Sequence, residues 1–325
     1  MIRNRRTFLL LIMALLTLIG FSIYGLVFRN REESWHYVTV VLDDTSSNRW
    51  LSLREGMNQA AEDNNIYLNL VSVSNLNSLD DQCTLISQEI ESGSDGILAL
   101  FGDSSDPQGL VSAIAAATPL ALIENNVVSE QVLNRIFPDH KKMGETLANL
   151  ILSDSEKQSL KSEDIKVGIL AGNLQKDANE QRLSALTALL NEEKISISWI
   201  YSQVDLNARS GLSRLESADH PDYIISLDNN ATETAADLLI SWNEDIPLYG
   251  IGSSEKNIYY LERSVIDTLL VTNEYYMGYR AISLLADEIN YHNQQSHTEE
   301  VEFYTVTSDI VHNEDIEVIL FPAVR

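Results

Sequence analysis

Short apolar runs alternate with amphipathic stretches along most of the chain. Six-residue runs such as Tyr37–Leu42 and 96–101 have polar residues near both ends, which is typical of buried strands. Between such runs, apolar residues recur at helical spacing, as at Trp50 and Leu53. The pattern covers four strand–helix units and then restarts with the apolar strand 166–172. It predicts an α/β fold with two doubly wound parallel-sheet lobes and a ligand crevice at the carboxyl ends of their strands.

The N-terminal region has a different pattern. From Thr7 to Phe28, 22 residues carry no charge. As a helix they would span roughly 33 Å, enough to cross a hydrocarbon core of about 30 Å. A cleaved signal peptide has a shorter apolar region and a small-residue cleavage site, and this run ends in YGLVF without one. The sequence predicts an uncleaved transmembrane signal anchor over 7–28, with a removed signal peptide as the alternative.

Charges beside this run predict its orientation. Three arginines lie within residues 1–6, whereas the two arginines of the neck 29–36 are followed at once by Glu32 and Glu33. The positive-inside rule then places the N-terminus in the cytoplasm and the body outside the cell or in the periplasm. The alternative is that two short basic flanks leave the topology undecided. A single cysteine, Cys83, suits an oxidising exterior.

Composition excludes several kinds of function. The chain has 22 basic and 48 acidic residues and a net charge of -26, so it repels phosphate backbones and is not expected to bind nucleic acid. One cysteine gives neither a disulfide framework nor a thiolate metal site, and the six histidines lack metal-ligand spacing. The nucleophile-elbow, phosphate-loop and H-E-x-x-H motifs are absent. No metal, cofactor or catalytic residue is therefore expected.

Several short motifs resemble the type I periplasmic-binding-protein family, in the branch of the ribose-, xylose- and galactose-binding proteins. The resemblance extends over nearly all of 36–325. S-G-S-D-G-I-L-A-L at 92–100 is similar to the family's G-x-D-G-I strand start, and P-L-A-L-I-E-N at 119–125 to the strand whose last acid binds sugar hydroxyls. N-E-Q-R-L-S-A-L at 179–186 resembles the R-x-x-G-F helix start, and I-I-S-L-D-N-N-A-T at 224–232 resembles a strand that ends at the ligand.

The resemblance implies a sugar site between the lobes, in which an aromatic ring covers the sugar face and charged groups bind its hydroxyls. The implied ligand-binding residues are Ser47, Arg49, Trp50, Glu124, Arg182, Asp228, Thr272 and Asn273.

Most of these residues also have a structural interpretation. Trp50 could be core packing, and Arg49 is of a type that is usually solvated. Arg182 could pair with Glu180, which is close to it in sequence. The two acids at strand ends could cap the helices that follow.

The resemblance also implies where the chain passes between the lobes and shows one departure. Gly252, the last residue of P-L-Y-G-I-G at 247–252, stands where the family has an aspartate, so a ligand contact or a hinge-side hydrogen bond is missing. Crossings are expected near Pro138, Thr272 and Thr307, which gives a multi-strand hinge. Lobe 1 is then 37–138 plus 273–306, and lobe 2 is 139–272 plus 307–325.

Together these features predict a membrane-anchored solute-binding protein outside the cytoplasm. It would close on a small polar ligand, with a sugar as the leading class, and present the closed form to a membrane partner. That partner is expected to be a sensor histidine kinase or an ABC permease. A regulator of the lactose-repressor type shares the fold but needs an N-terminal DNA-binding motif, where this chain has an apolar run. The same fold could also serve a cell-surface enzyme or a partner subunit that binds no ligand.

Overall fold

We describe the protein from a computed structural model. It divides into two compact units, Met1–His36 and Tyr37–Arg325. In the first unit residues 12–21 are helical, and the rest of the predicted anchor, apart from Phe8, lies outside the described residues. Within the described parts of the chain, no helix has both the length and the apolar character needed to cross a membrane. The structure describes residues 8, 12–21, 35–42, 50–72, 78–202, 214–215, 217–218, 220–291 and 295–321.

Strands and helices alternate through the larger unit as the apolar pattern predicts. The first half contains β1 (His36–Leu42), α1 (Leu51–Asp63), β2 (Ile66–Ser72), α2 (Leu79–Glu91), β3 (Gly96–Ala99), α3 (Leu110–Ala117), β4 (Leu120–Ile123), β5 (Asn134–Pro138) and α4 (His140–Gln158). The second half contains β6 (Lys166–Gly172), α5 (Asp177–Glu192), β7 (Ser196–Ser202), β8 (Tyr223–Ser226), α6 (Asn229–Trp242), β9 (Leu248–Ile251), α7 (Glu255–Glu262), β10 (Thr268–Thr272), α8 (Glu274–Tyr291), β11 (His297–Val301), β12 (Phe303–Val306) and α9 (Glu314–Leu320).

These strands form two six-stranded sheets. The first has the order β11-β5-β4-β3-β1-β2 and the second β12-β10-β9-β8-β6-β7. The central pairs are parallel in both sheets. The predicted α/β fold with two parallel-sheet lobes is therefore confirmed. We call the first sheet with α1, α2, α3 and α8 lobe 1, and the second sheet with α4, α5, α6, α7 and α9 lobe 2.

The last crossing differs from its predicted place. The chain leaves lobe 1 at Val301 and enters the second sheet at Phe303, so it crosses at Glu302 and not near Thr307. Because β11 runs towards the carboxyl edge of its sheet, the chain enters the second sheet from that edge. Accordingly, β12 runs antiparallel to β10. The sequence reads as one continuous strand through 301–306, so the pattern does not reveal a crossing one residue long.

Helix packing closes each lobe around its own core. In lobe 1, α1 and α8 approach so closely that a Cβ on Gly56 would lie 2.0 Å from the backbone oxygen of Tyr275. The same crossing brings a Cβ on Gly278 to 2.3 Å from the oxygen of Leu53. Glycine is thus required at this helix contact. In lobe 2, α4 packs Met143 and other apolar residues on the core beneath β6.

Candidate functional site

The carboxyl ends of the two sheets face one another across a cleft. On the lobe 1 side, the segments that follow β3 and β4 supply the cleft residues. On the lobe 2 side, they come from the segment after β6, the start of α5 and the ends of β8, β9 and β10. This is the edge at which ligands bind in open α/β sheets, because helix N-termini and strand-end loops converge there. Direct hydrogen bonds between the lobes close the cleft in this structure.

A buried ion pair spans the centre of this cleft. Arg182 of α5 donates from Nη2 to Oε1 of Glu124, which follows β4, at 3.0 Å. The two residues are 1% and 7% exposed. Arg182 also donates from Nη1 to the Leu227 carbonyl oxygen at 3.0 Å and to Asn179 Oδ1 at 3.3 Å. Because it is held by an acid of lobe 1 and by groups of lobe 2, this guanidinium links the lobes.

The backbone of Glu124 is unusual, and a histidine holds it. Glu124 has a φ of 61°, in the left-handed region that a residue with a Cβ enters at a cost. His140, at the start of α4, contacts the Glu124 carbonyl oxygen through Nε2 at 2.6 Å. Burial, with Arg182 nearby, lowers the pKa of His140 to about 4. A neutral imidazole protonated at Nε2 therefore donates to this carbonyl and positions the acid.

His140 is a site residue that the sequence pattern does not single out. The six histidines are scattered along the chain, and the local signal at His140 is its place directly after the helix-capping Asp139, at the first crossing. Nothing in that pattern indicates that the ring reaches the backbone of a residue 16 positions earlier.

Amide side chains occupy the space around Gly252. Asn229 Oδ1 accepts from the backbone N–H groups of Ser253 and Ser254 at 3.2 and 3.1 Å, and from Asn257 Nδ2 at 3.0 Å. A Cβ on Gly252 would lie 2.4 Å from Asn257 Nδ2 and 2.8 Å from Asn229 Oδ1. An aspartate at this position does not fit beside these amides. The glycine at position 252, where the family has an aspartate, is therefore explained by the two asparagine side chains that occupy the space beside it.

The remaining predicted ligand residues lie in different settings. Trp50 is buried in the core of lobe 1. Asp228 caps α6 by accepting from Ala231 N at 2.8 Å. Thr272 lines the cleft at the end of β10, and Asn273 Oδ1 accepts from Tyr276 N at 3.0 Å at the start of α8. The other two predicted residues, Ser47 and Arg49, lie outside the described residues. Their roles towards a ligand stay predictions.

The described residues of the two lobes line a small cavity at the centre of the cleft. The space open to the centre of a water molecule is about 10 Å³, which corresponds to one water and not to a sugar ring. Arg182 Nε, which is buried there, has no acceptor among the described residues. The lining residues are Glu124, Arg182, Asn229, Ile251, Gly252, Ser253, Leu270, Thr272 and Glu274.

The described part of the chain contains neither a cluster of metal ligands nor a reactive thiol. There, no group of three or more His, Cys, Asp or Glu side chains is placed to hold a metal ion. Cys83 is buried on α2, and burial, with Asp106 and Asp80 nearby, raises the pKa of its thiol to about 12. A thiol with so high a pKa is a weak nucleophile, so Cys83 is a packing residue.

Comparisons with known proteins agree with this architecture. The sequence profile of the periplasmic binding protein domain family matches residues 38–293. A comparison with curated proteins finds no significant match. A carbohydrate-transporter solute-binding protein from Agrobacterium radiobacter, in complex with D-arabinose, has a TM-score of 0.78 at 14% identity, covering 88% of this chain and 99% of its own. GanP, a glucose-galactose binding protein from Geobacillus stearothermophilus, has a TM-score of 0.74 at 15% identity, covering 86% and 99%. A chain of the XylFII–LytSN complex has a TM-score of 0.71 at 12% identity, covering 85% and 99%.

The match over 38–293 covers more than half of the chain, so this chain belongs to the periplasmic binding protein domain family. The resemblance seen in the sequence motifs is confirmed. The likeness to the solved structures, at 12% to 15% identity, shows a shared fold and does not by itself transfer a ligand.

Proposed function

We propose that this protein is a membrane-anchored solute-binding protein that closes its two lobes on a small polar ligand, with sugars as the leading class. The observation that carries the proposal is the cleft between the carboxyl ends of two parallel sheets, with the Arg182–Glu124 pair at its centre. Binding proteins of this architecture close by hinge motion, and the three crossings near Pro138, Thr272 and Glu302 are the proposed hinge.

The chemistry of the cleft suits a polyol. A guanidinium and a carboxylate form directional hydrogen bonds to neighbouring hydroxyls, and they gain strength when water is excluded. Arg182 and Glu124 would each turn from one another to the ligand when the lobes separate. Thr272, Asn273 and Asp228 are the proposed supporting contacts. The sugars bound by similar proteins, D-arabinose and glucose or galactose among them, define the ligands to try first.

We place the protein at the cell membrane, with the binding unit outside the cytoplasm. The support is the uncharged run 7–28, its basic N-terminal flank and the family itself. A membrane partner would read the closed form. A sensor kinase is favoured over an ABC permease because a permanent anchor keeps the protein beside one partner. The XylFII–LytSN complex shows that a protein of this fold assembles with a second protein.

A thermal-shift screen of the full chain tests the ligand class. The panel contains pentoses, hexoses and myo-inositol. At 100 times its dissociation constant a true ligand adds about 2.7 kcal/mol, which raises Tm by several degrees. The same sugar should shift the Arg182→Met variant far less, whereas the exposed-site control Glu180→Gln should respond like the parent. A panel without any shift would contradict the sugar-binding proposal.

A ligand-independent partner subunit is the second candidate. The small cavity beside the Arg182–Glu124 pair favours it, because the described residues around that pair leave room for one water and not for a sugar ring. In that case the closed body itself would be the signal that the partner reads. We propose no enzymatic role, since the family consists of binding domains and the cleft presents no nucleophile paired with a base among the described residues.

A further inference from the structure

Two loops meet directly where the lobes face each other. Asn173 of lobe 2 donates from Nδ2 to the Gly102 carbonyl oxygen of lobe 1 at 2.9 Å. In the opposite direction, Ser104 of lobe 1 donates its backbone N–H to the Gln175 carbonyl oxygen of lobe 2 at 2.9 Å. Both acceptors are main-chain groups, so these bonds fix the two loops in register with one another.

The start of α5 is capped from the opposite lobe. The first backbone N–H groups of a helix have no partner within the helix, and the side chain of the preceding residue usually accepts from them. Lys176, which precedes α5, makes no side-chain cap. Instead Asp177 N donates to Ser104 Oγ at 2.8 Å, and Ala178 N donates to Asn125 Oδ1 at 3.3 Å. Both acceptors belong to lobe 1.

The two capping side chains are held in place within lobe 1. Ser104 Oγ donates to Asn125 Oδ1 at 3.0 Å, while Asn125 Nδ2 donates to the Phe101 carbonyl oxygen at 2.8 Å. Asn125 is fully buried. The hydroxyl of Ser104 thus donates within its own lobe and accepts from the other lobe. Because these bonds within lobe 1 do not involve α5, the two capping side chains need little further ordering when the lobes meet.

We infer that these groups form an interlobe latch that holds the lobes closed without a ligand. In this latch Ser104 and Asn125 of lobe 1 cap the N-terminus of α5 in lobe 2. The latch comprises Gly102, Ser104 and Asn125 of lobe 1, and Asn173, Gln175 and the first turn of α5 in lobe 2. It lies beside the Arg182–Glu124 pair, so a ligand reaches that pair only after the latch opens. Only the open fraction of the protein can bind ligand. The apparent dissociation constant is therefore the intrinsic one divided by that fraction.

Distance measurement between spin labels tests the latch in the full chain. Labels are placed on Gln88→Cys in α2 and Ser184→Cys in α5, both exposed positions on different lobes. Cys83 is buried and is not expected to take a label. The protein is first stripped of small molecules in mild denaturant and refolded, and mass spectrometry verifies that no sugar remains. We expect one narrow distance distribution without any added sugar.

A double variant that lacks two latch groups is compared with a control variant that keeps them all. Ser104→Ala with Asn173→Ala removes two latch groups, and the distribution should become longer and broader. Ser105→Ala changes the neighbouring exposed serine, which contributes no bond to the latch, and should leave the distribution unchanged. A long, broad distribution in the stripped parent would overturn the inference, and so would a double variant that stays as narrow as the parent. Neither result depends on whether a sugar binds, so the thermal-shift screen tests the proposed function separately.

Discussion

Removing the acid of the cross-cleft ion pair should destabilise the protein in a graded way. Arg182 is almost fully buried and relies on Glu124 for the charge opposite its Nη2. Glu124→Ala leaves the guanidinium without that charge. Glu124→Gln keeps an oxygen in place but makes it neutral, so it isolates the contribution of charge from that of shape.

The expected loss follows from the contacts that remain. Removing one partner of a buried ion pair costs about 3–5 kcal/mol, because the remaining charge is left uncompensated. Arg182 keeps its bonds to Leu227 O and Asn179 Oδ1, which places Glu124→Ala near the lower end, about 3 kcal/mol. At about 2 °C per kcal/mol this is roughly 6 °C in Tm. Glu124→Gln replaces a charge-assisted bond by a neutral one and should cost about 1–2 kcal/mol.

Urea unfolding monitored by circular dichroism measures these losses. The matched control is Glu180→Gln, which changes an exposed acid on the same helix that is near Arg182 in sequence. It should change stability by less than about 0.5 kcal/mol. A double-mutant cycle with Arg182→Met should give a coupling of at least about 1 kcal/mol. The role of this ion pair is refuted if Glu180→Gln costs as much as Glu124→Gln, or if the coupling is near zero.

Three further perturbations have defined outcomes. Gly252→Ala should lower Tm because its Cβ meets Asn257 Nδ2 and Asn229 Oδ1, and the loss should be smaller, though not absent, when Asn257→Ala is also present, since the contact with Asn229 remains; additive losses would contradict the geometry. Since burial lowers the pKa of His140 to about 4, the unfolded chain binds more protons between about pH 4 and 6.5, and stability falls as pH drops through that window. His140→Gln should remove about 2 kcal/mol of this dependence, measured by urea unfolding at pH 4.5 and pH 7; the same change in unfolding free energy between the two pH values in the parent and the variant would show that His140 is not buried. Cys83 should react with a thiol reagent at pH 8 at least about 100-fold more slowly in the native protein than in denaturant, and equal rates would contradict its burial.

The local sequence pattern predicts the fold well because strands that are buried on both faces of a sheet consist of continuous apolar residues. A fully buried strand such as β3 is an uninterrupted apolar run, and helices such as α2 begin at a capping serine, here Ser78. The one-residue crossing at Glu302 has no such sequence signal. It breaks neither the apolar pattern nor the strand propensity of the residues around it.

The site is predictable only in part because its contacts join distant segments. Family motifs point to Glu124 and Arg182 one by one, but nothing local indicates that residues 58 positions apart pair with each other. The nearer acid Glu180 is only two positions from Arg182 on the same helix, where side chains do not face each other. The cap of α5 by the opposite lobe is not predictable from sequence for the same reason. By its sequence, Ser104 is an ordinary loop serine, and it caps α5 only when the lobes meet.

Titration calorimetry of the full chain tests most directly whether the Arg182–Glu124 cleft binds a sugar. The sugar with the largest thermal shift is titrated into the parent and into Arg182→Met. We expect one site per chain and an affinity loss of about 2–5 kcal/mol in the variant, roughly 30-fold to several thousand-fold, because a buried charged hydrogen bond to the ligand is removed. Equal affinities would place the ligand away from this cleft and contradict the proposed binding site.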